Sequence, residues 1–249
     1  MDLLYFNKYL IRNKNKSSMK KLLFLLVLIF LSQNCFPQKS KIQTYSGKID
    51  DKYEITMVLS QKAGNKIVGY YFYEKYNIKI PLEGTVEDNL YVIKEYPDFE
   101  FSYKKGFKLE SFKNELTGCW FDSLDKKNLG VFLMKKGKSG VKYISKYKKV
   151  EGFYQDIVNS RTLFRDVEMF YIADDIFLFC ISSVHENGCN GFVKELISLN
   201  DDYMGVYKSK DCAEIKITYN SDELIIEEKD CTALHGFRCP FDGKYVKRN

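Results

Sequence analysis

The sequence is poor in the residues on which most enzyme sites are built. It has 2 His and 1 Trp in 249 residues. It contains no phosphate-binding glycine loop, no G-x-S-x-G elbow and no H-E-x-x-H pair, so the commonest nucleotide, esterase and metalloprotease signatures are missing. With only 4 Pro and 15 Gly, collagen-like and low-complexity classes are excluded. No apolar run approaches the ~18 residues of a membrane-spanning helix. One-signed charge is also lacking. The formal charge is +6, but Lys8, Arg12, Lys14, Lys16, Lys20 and Lys21 crowd into residues 1–37 beside the lone anion Asp2. The rest of the chain is close to neutral, so charge gives no case for nucleic-acid binding.

What is present begins with a leader. Met19-Lys20-Lys21 is followed by ten apolar residues, Leu22 to Leu31, and a polar exit through Cys35 and Pro37. That order is the pattern of a secretory signal peptide. Ten helical residues span about 15 Å, half of a ~30 Å hydrocarbon core, which argues against a stable anchor. Residues 1–37 are therefore expected to be a leader whose start is Met19, in a bacterial protein exported to the periplasm, the cell surface or the medium. The mature chain begins near Gln38, or at Cys35 if that cysteine carries a lipid.

Beyond the leader, alternation dominates. Tyr53, Ile55, Met57 and Leu59 alternate with Glu54, Thr56, Val58 and Ser60, and Ile78, Ile80 and Leu82 do the same, as do Phe99, Phe101 and Tyr103. A period of two places each set on one face of a strand. Turn signals punctuate these runs at Asp50-Asp51, Gly64-Asn65, Asp88-Asn89, Pro97-Asp98, Gly106 and Asn114. The best helical candidate, Asp156 to Phe170, is short and partly polar. The expected fold is all-β: two consecutive antiparallel modules, 38–140 and 150–249, the first a meander closing into a barrel or sandwich because closure removes exposed edges. The lysines from Lys135 to Lys149 mark the boundary as a solvated linker.

Four motifs, Tyr45-x-Gly47-x-Ile49, Ile67-x-Gly69-Tyr70-Tyr71-x-Tyr73, Ile80-x-Leu82-x-Gly84 and Leu116-x-Gly118-x-Trp120, precede a C-terminal His235-Gly236…Phe241-Asp242-Gly243-x-Tyr245. This punctuation resembles uncharacterised secreted bacterial β-rich proteins, and loosely the exported lysozyme-inhibitor-like domains. The resemblance implies an exported β protein and transfers no catalytic residue.

Seven cysteines are present, and five of the six beyond the leader follow residue 179. In an oxidising compartment such a set forms disulfides. One pair follows from register. A hairpin about Ser221-Asp222 sets Lys216 opposite Glu227, Glu214 opposite Lys229, Ile217 opposite Ile226 and Tyr219 opposite Leu224, matching charge and apolar character across the strands. Cys212 then faces Cys231. Bonding there asks for the closer of the two antiparallel sites, ~4.5 Å rather than ~5.5 Å, which predicts a four-residue loop over 220–223. Cys180 and Cys189 are the next candidate pair, leaving Cys119 and Cys239 open. The minor alternative is a zinc site of Cys212, Cys231, His235 and Cys239, disfavoured by export.

His235 reads as a turn histidine whose neighbour Gly236 supplies a positive φ, and His185 as a loop residue. Acid pairs such as Asp174-Asp175, Asp201-Asp202 and Glu227-Glu228 read as surface chemistry. In the aromatic ladder, Tyr71 and Tyr73 share one face and Tyr70 and Phe72 the other. One face is core; the second, if exposed, is a strip on which a sugar or protein can stack. The function expected is thus a non-enzymatic exported binding or inhibitor-like module for a protein or glycan, without cofactor. The alternatives are a secreted hydrolase using an acid pair or the Cys/His metal site, and a structural lipoprotein anchored at Cys35.

Overall fold

In a computed structural model, residues 41–96, 105–137, 146–157 and 162–248 are described. The leader, Phe99, Phe101, Tyr103 and most of the lysine-rich linker lie outside these residues. Every long element is a strand. The first eight are β1 (Lys41–Ile49), β2 (Tyr53–Gln61), β3 (Lys66–Tyr73), β4 (Ile80–Glu87), β5 (Leu90–Glu95), β6 (Lys105–Phe112), β7 (Glu115–Asp122) and β8 (Lys127–Lys135). Each pairs with its chain neighbour, and β8 returns to β1, so the meander is a closed barrel. Its turns are made by the polar dipeptides legible in the sequence: Asp50 and Asp51 have φ of 55° and 50°, Asp88 and Asn89 of 46° and 71°. Such left-handed pairs match the twist of the strands they join.

The inward residues follow the alternation. Tyr45, Ile55, Met57, Leu59, Tyr71, Leu82, Ile93, Phe107 and Leu133 form one buried cluster inside the barrel. The glycines of the repeated motifs face the same way. A Cβ on Gly47 would stand 2.0 Å from the Phe132 carbonyl oxygen, and one on Gly84 would stand 2.0 Å from that of Val92. Only a residue without a side chain lets neighbouring backbones approach so closely, which is how a small barrel bends its strands. Gly106, expected at a turn, lies within β6 and plays the same part. Ile78 is exposed and precedes β4, so the apolar alternation there begins only at Ile80.

The second sheet contains β9 (Gly152–Asp156), β10 (Leu163–Ala173), β11 (Ile176–His185), β12 (Asn190–Ser198), β13 (Met204–Ser209), β14 (Cys212–Asn220), β15 (Glu223–Lys229) and β16 (Gly243–Arg248). The order is β12-β11-β10-β9-β16-β15-β14-β13, with every pairing antiparallel. The helical candidate over Asp156 to Phe170 is thus the end of one strand and most of another. Gly205 of β13 lies under Ile197 and Leu199, so the sheet curls until its two edge strands meet through side chains. Among the described residues, no helix is long and apolar enough to cross a membrane.

Residues 40–249 form one compact unit. Val58, Val68 and Tyr70 on the outside of the barrel pack with Ile172, Ala173, Ile176 and Leu178 of the second sheet, and Phe72 adds to the same cluster. Polar contacts frame this interface. The Glu83 carboxylate is met by Lys66 at 2.8 Å, Tyr96 at 2.6 Å and Lys194, and Lys62 pairs with Glu151 at 2.5 Å.

Candidate functional site

The hairpin β14–β15 has the register expected from charge and apolar matching: Glu214 faces Lys229, Lys216 faces Glu227, Ile217 faces Ile226 and Tyr219 faces Leu224. Cys212 and Cys231 are bonded, with Cα atoms 4.0 Å apart. The four-residue loop is not found. Asn220 pairs with Glu223, and the connection is the two-residue turn Ser221–Asp222, with φ of 48° and 67°. The close approach is produced at the other end. Asp230 takes φ 52° and its carbonyl accepts the Ala213 N–H at 3.3 Å, a local distortion beyond the last ladder pair, Glu214 with Lys229, next to the bonded cysteines.

The pairing of Cys180 with Cys189 is corrected by the structure: Cys189 is bonded to Cys239, and Cys180 and Cys119 are free. In the β11–β12 hairpin Cys180 lies opposite Lys194, whereas Cys189 belongs to the turn, about 15 Å along the strand at ~3.3 Å per residue. Burial pushes the Cys180 thiol up to about 12, so it is no nucleophile at neutral pH. The zinc alternative fails for a related reason. Cys212 and Cys231 hold each other, and Cys239 is bonded to Cys189. Among the described residues no group of three or more His, Cys, Asp and Glu side chains is placed to hold a metal.

Around the Cys189–Cys239 bridge, the C-terminal motif builds a braced tip. His235 is not an exposed turn residue. It is buried, its ring stands edge-on to Phe241 at 4.8 Å, and Nε2 lies 2.9 Å from the Glu228 carboxylate. The same carboxylate accepts the Phe241 N–H at 3.1 Å. One side chain therefore ties both ends of the segment 235–241. Burial pushes the Glu228 carboxyl up, while the Phe241 N–H and His235 draw it back down. Gly236 does not adopt the left-handed φ expected of it; its missing side chain is needed because a Cβ would stand 2.6 Å from Cys189 Sγ. The Cys239 N–H donates to the Gly236 carbonyl at 2.9 Å, closing a β-turn over 236–239. Downstream, Arg165 donates to the carbonyls of Pro240 and Asp242 while held by Asp156 at 2.5 Å.

This bracing presents two residues. Phe237 is 91 % exposed, and Arg238 beside it is exposed as well. Neither has a partner among the described residues. Neither residue stands out in the sequence, nor does Glu228, which beside Glu227 reads as ordinary surface charge. The legible signal was His235-Gly236 and Cys239 bracketing an aromatic and a cation.

The aromatic ladder divides as alternation requires, but its second face is not open. Tyr71 and Tyr73 belong to the barrel interior. Tyr70 and Phe72 lie under the second sheet, so no exposed stacking strip exists there. His185 closes β11, where its Nδ1 accepts the Asn187 N–H at 3.1 Å. No family model, no curated protein and no solved structure matches the chain.

Proposed function

We propose that this chain is a non-enzymatic binding protein, exported to the bacterial envelope, that grips a protein partner through Phe237 and Arg238. The observation that carries the reading is a 91 % exposed phenylalanine on a turn fixed by a disulfide, a buried histidine and a shared carboxylate. Exposing a whole aromatic ring to water forgoes about 2 kcal/mol or more of burial. Bracing it in place removes much of the ordering cost that binding otherwise incurs. Aromatic and arginine side chains are enriched at protein interfaces, and arginine among the residues that dominate binding energy. The matching surface is an apolar pocket with a carboxylate at its edge. The leader supports export, and the inhibitor-like resemblance agrees with a rigid projecting tip.

The test is photo-crosslinking in the producing bacterium from benzoylphenylalanine placed at position 237. A discrete protein adduct in the envelope fraction is expected, and Arg238→Glu should abolish it. With the partner purified, Phe237→Ala should cost about 2 kcal/mol of affinity. An adduct indifferent to Arg238→Glu, or no adduct from a secreted and folded protein, rejects the reading.

A further inference from the structure

The inward face of the barrel is apolar along most of its length and changes character at one end. Tyr73 ends β3, Glu95 ends β5, Lys105 begins β6 and Asp122 ends β7. Alternation places all four on the same inward face as Tyr71, Ile93, Phe107 and Trp120. Two inward acids at the end of a hydrophobic barrel have to be compensated. Asp122 is. Its Oδ2 pairs with Lys105 Nζ at 3.4 Å, and its Oδ1 accepts the N–H groups of Leu124 and Asp125.

Glu95 makes no ion pair among the described residues; the one cation facing it, Lys105, is paired with Asp122. It is 6 % exposed, and its two hydrogen bonds, from Tyr71 at 2.7 Å and Trp120 Nε1 at 2.5 Å, both end on Oε1. Among the described residues no bond reaches Oε2. Nor is Oε2 one of the sealed and unsatisfied side-chain atoms among the described residues, which are Ser60 Oγ, Asp166 Oδ1 and Ser183 Oγ, so it keeps some contact with solvent. Aromatic rings cluster at this end: Tyr71 and Trp120 donate to the Glu95 carboxylate, Tyr71 and Tyr73 meet edge-on at 5.6 Å, and Trp120 is half-buried against the same core.

We infer that this end of the barrel is a binding site for an organic ammonium ion, seated with its charge on Glu95 Oε2 and its alkyl groups against Tyr73 and Trp120. A carboxylate holding only neutral donors gains a counter-charge from such a ligand. The ring faces attract the same cation through their quadrupoles, most strongly at tryptophan. Burial raises the Glu95 carboxyl, and the groups facing it are Tyr71 and Tyr73 of β3, Lys105 of β6 and Asp122 of β7. A cation favours the ionised form, so binding releases a proton wherever the carboxyl is still protonated and tightens as pH rises. The site is independent of the Phe237–Arg238 tip.

Trp120 is the chain's single tryptophan, so its emission reads the site directly. The experiment titrates the full mature protein with choline and with its neutral isostere 3,3-dimethylbutan-1-ol, following Trp120 fluorescence and heat of binding between pH 4 and 8. Choline should saturate, bind about tenfold or more tighter than the isostere, and tighten with pH; Glu95→Gln should remove that preference. Equal binding of the two probes, an unchanged preference in Glu95→Gln, or no saturable response to choline overturns the proposal. If the Gln variant does not fold, the comparison of the two probes on the wild-type protein decides alone.

Discussion

At the scale of single residues, the tip depends on what is left out as much as on what is bonded. Gly236 is wedged against Cys189 Sγ, and a Cβ there would approach it to 2.6 Å. That sulfur is fixed by its bond to Cys239, and the Gly236 N–H donates to the Asn190 carbonyl at 3.2 Å, so neither side can yield freely. Gly236→Ala should therefore destabilise the protein by about 1–3 kcal/mol, the usual range for overpacking. Thermal unfolding measures the loss. An unchanged Tm would mean that the backbone relaxes around the bridge and that the tip is softer than its contacts imply. Glu228 carries the complementary role, holding His235 and the Phe241 N–H with one carboxylate.

Among the elements, the β14–β15 hairpin was the most legible from sequence. Its charged and apolar matches fix the register without reference to the cysteines, and the disulfide falls where that register puts it. Loop length is not legible in the same way, because regular ladder geometry does not extend to the bridge: the left-handed Asp230 interrupts it. The β11–β12 hairpin was less legible. Sequence proximity suggests a Cys180–Cys189 bond, which the pairing of Cys180 with Lys194 and the bonding of Cys189 to Cys239 exclude. The tip was hardest to read, since Glu228, His235 and Phe241 meet only through tertiary packing. Loop closure gives the two bridges different weights. The Cys212–Cys231 bond spans 19 residues and the Cys189–Cys239 bond 50, for about 3 and about 4 kcal/mol in the chain-entropy treatment. A Cys212→Ser, Cys231→Ser variant should lose about 3 kcal/mol in denaturant unfolding and keep the tip. A Cys189→Ser, Cys239→Ser variant should lose somewhat more and release Phe237, seen as faster amide exchange over 236–239.

For the whole molecule, the decisive feature is how the barrel and the second sheet are held together. The apolar cluster of Val58, Val68, Tyr70, Ile172 and Leu178 provides burial, and Glu83 supplies specificity of fit at its edge. Burial pushes the Glu83 carboxyl up, but hydrogen bonds from Lys194, Lys66 and Tyr96 outweigh it and hold the group at about 2. A carboxylate whose folded value lies below its usual 4.5 binds fewer protons when folded than when unfolded. Its contribution is complete above pH 4.5 and disappears as pH falls through about 2. Acid should thus weaken this junction in that window while leaving both disulfides intact. Glu83→Gln removes the charge and leaves Lys194, whose side chain is only 10 % exposed, with Tyr96 but no carboxylate. Breaking a buried pair from one side costs about 3 kcal/mol. Urea unfolding at pH 7 should show a loss of that order, and between pH 4.5 and 2 the variant should lose less additional stability than the wild type. If the two proteins follow parallel pH curves, Glu83 is not the group that couples the junction to acid, and the apolar cluster alone sets how the barrel sits on its partner sheet.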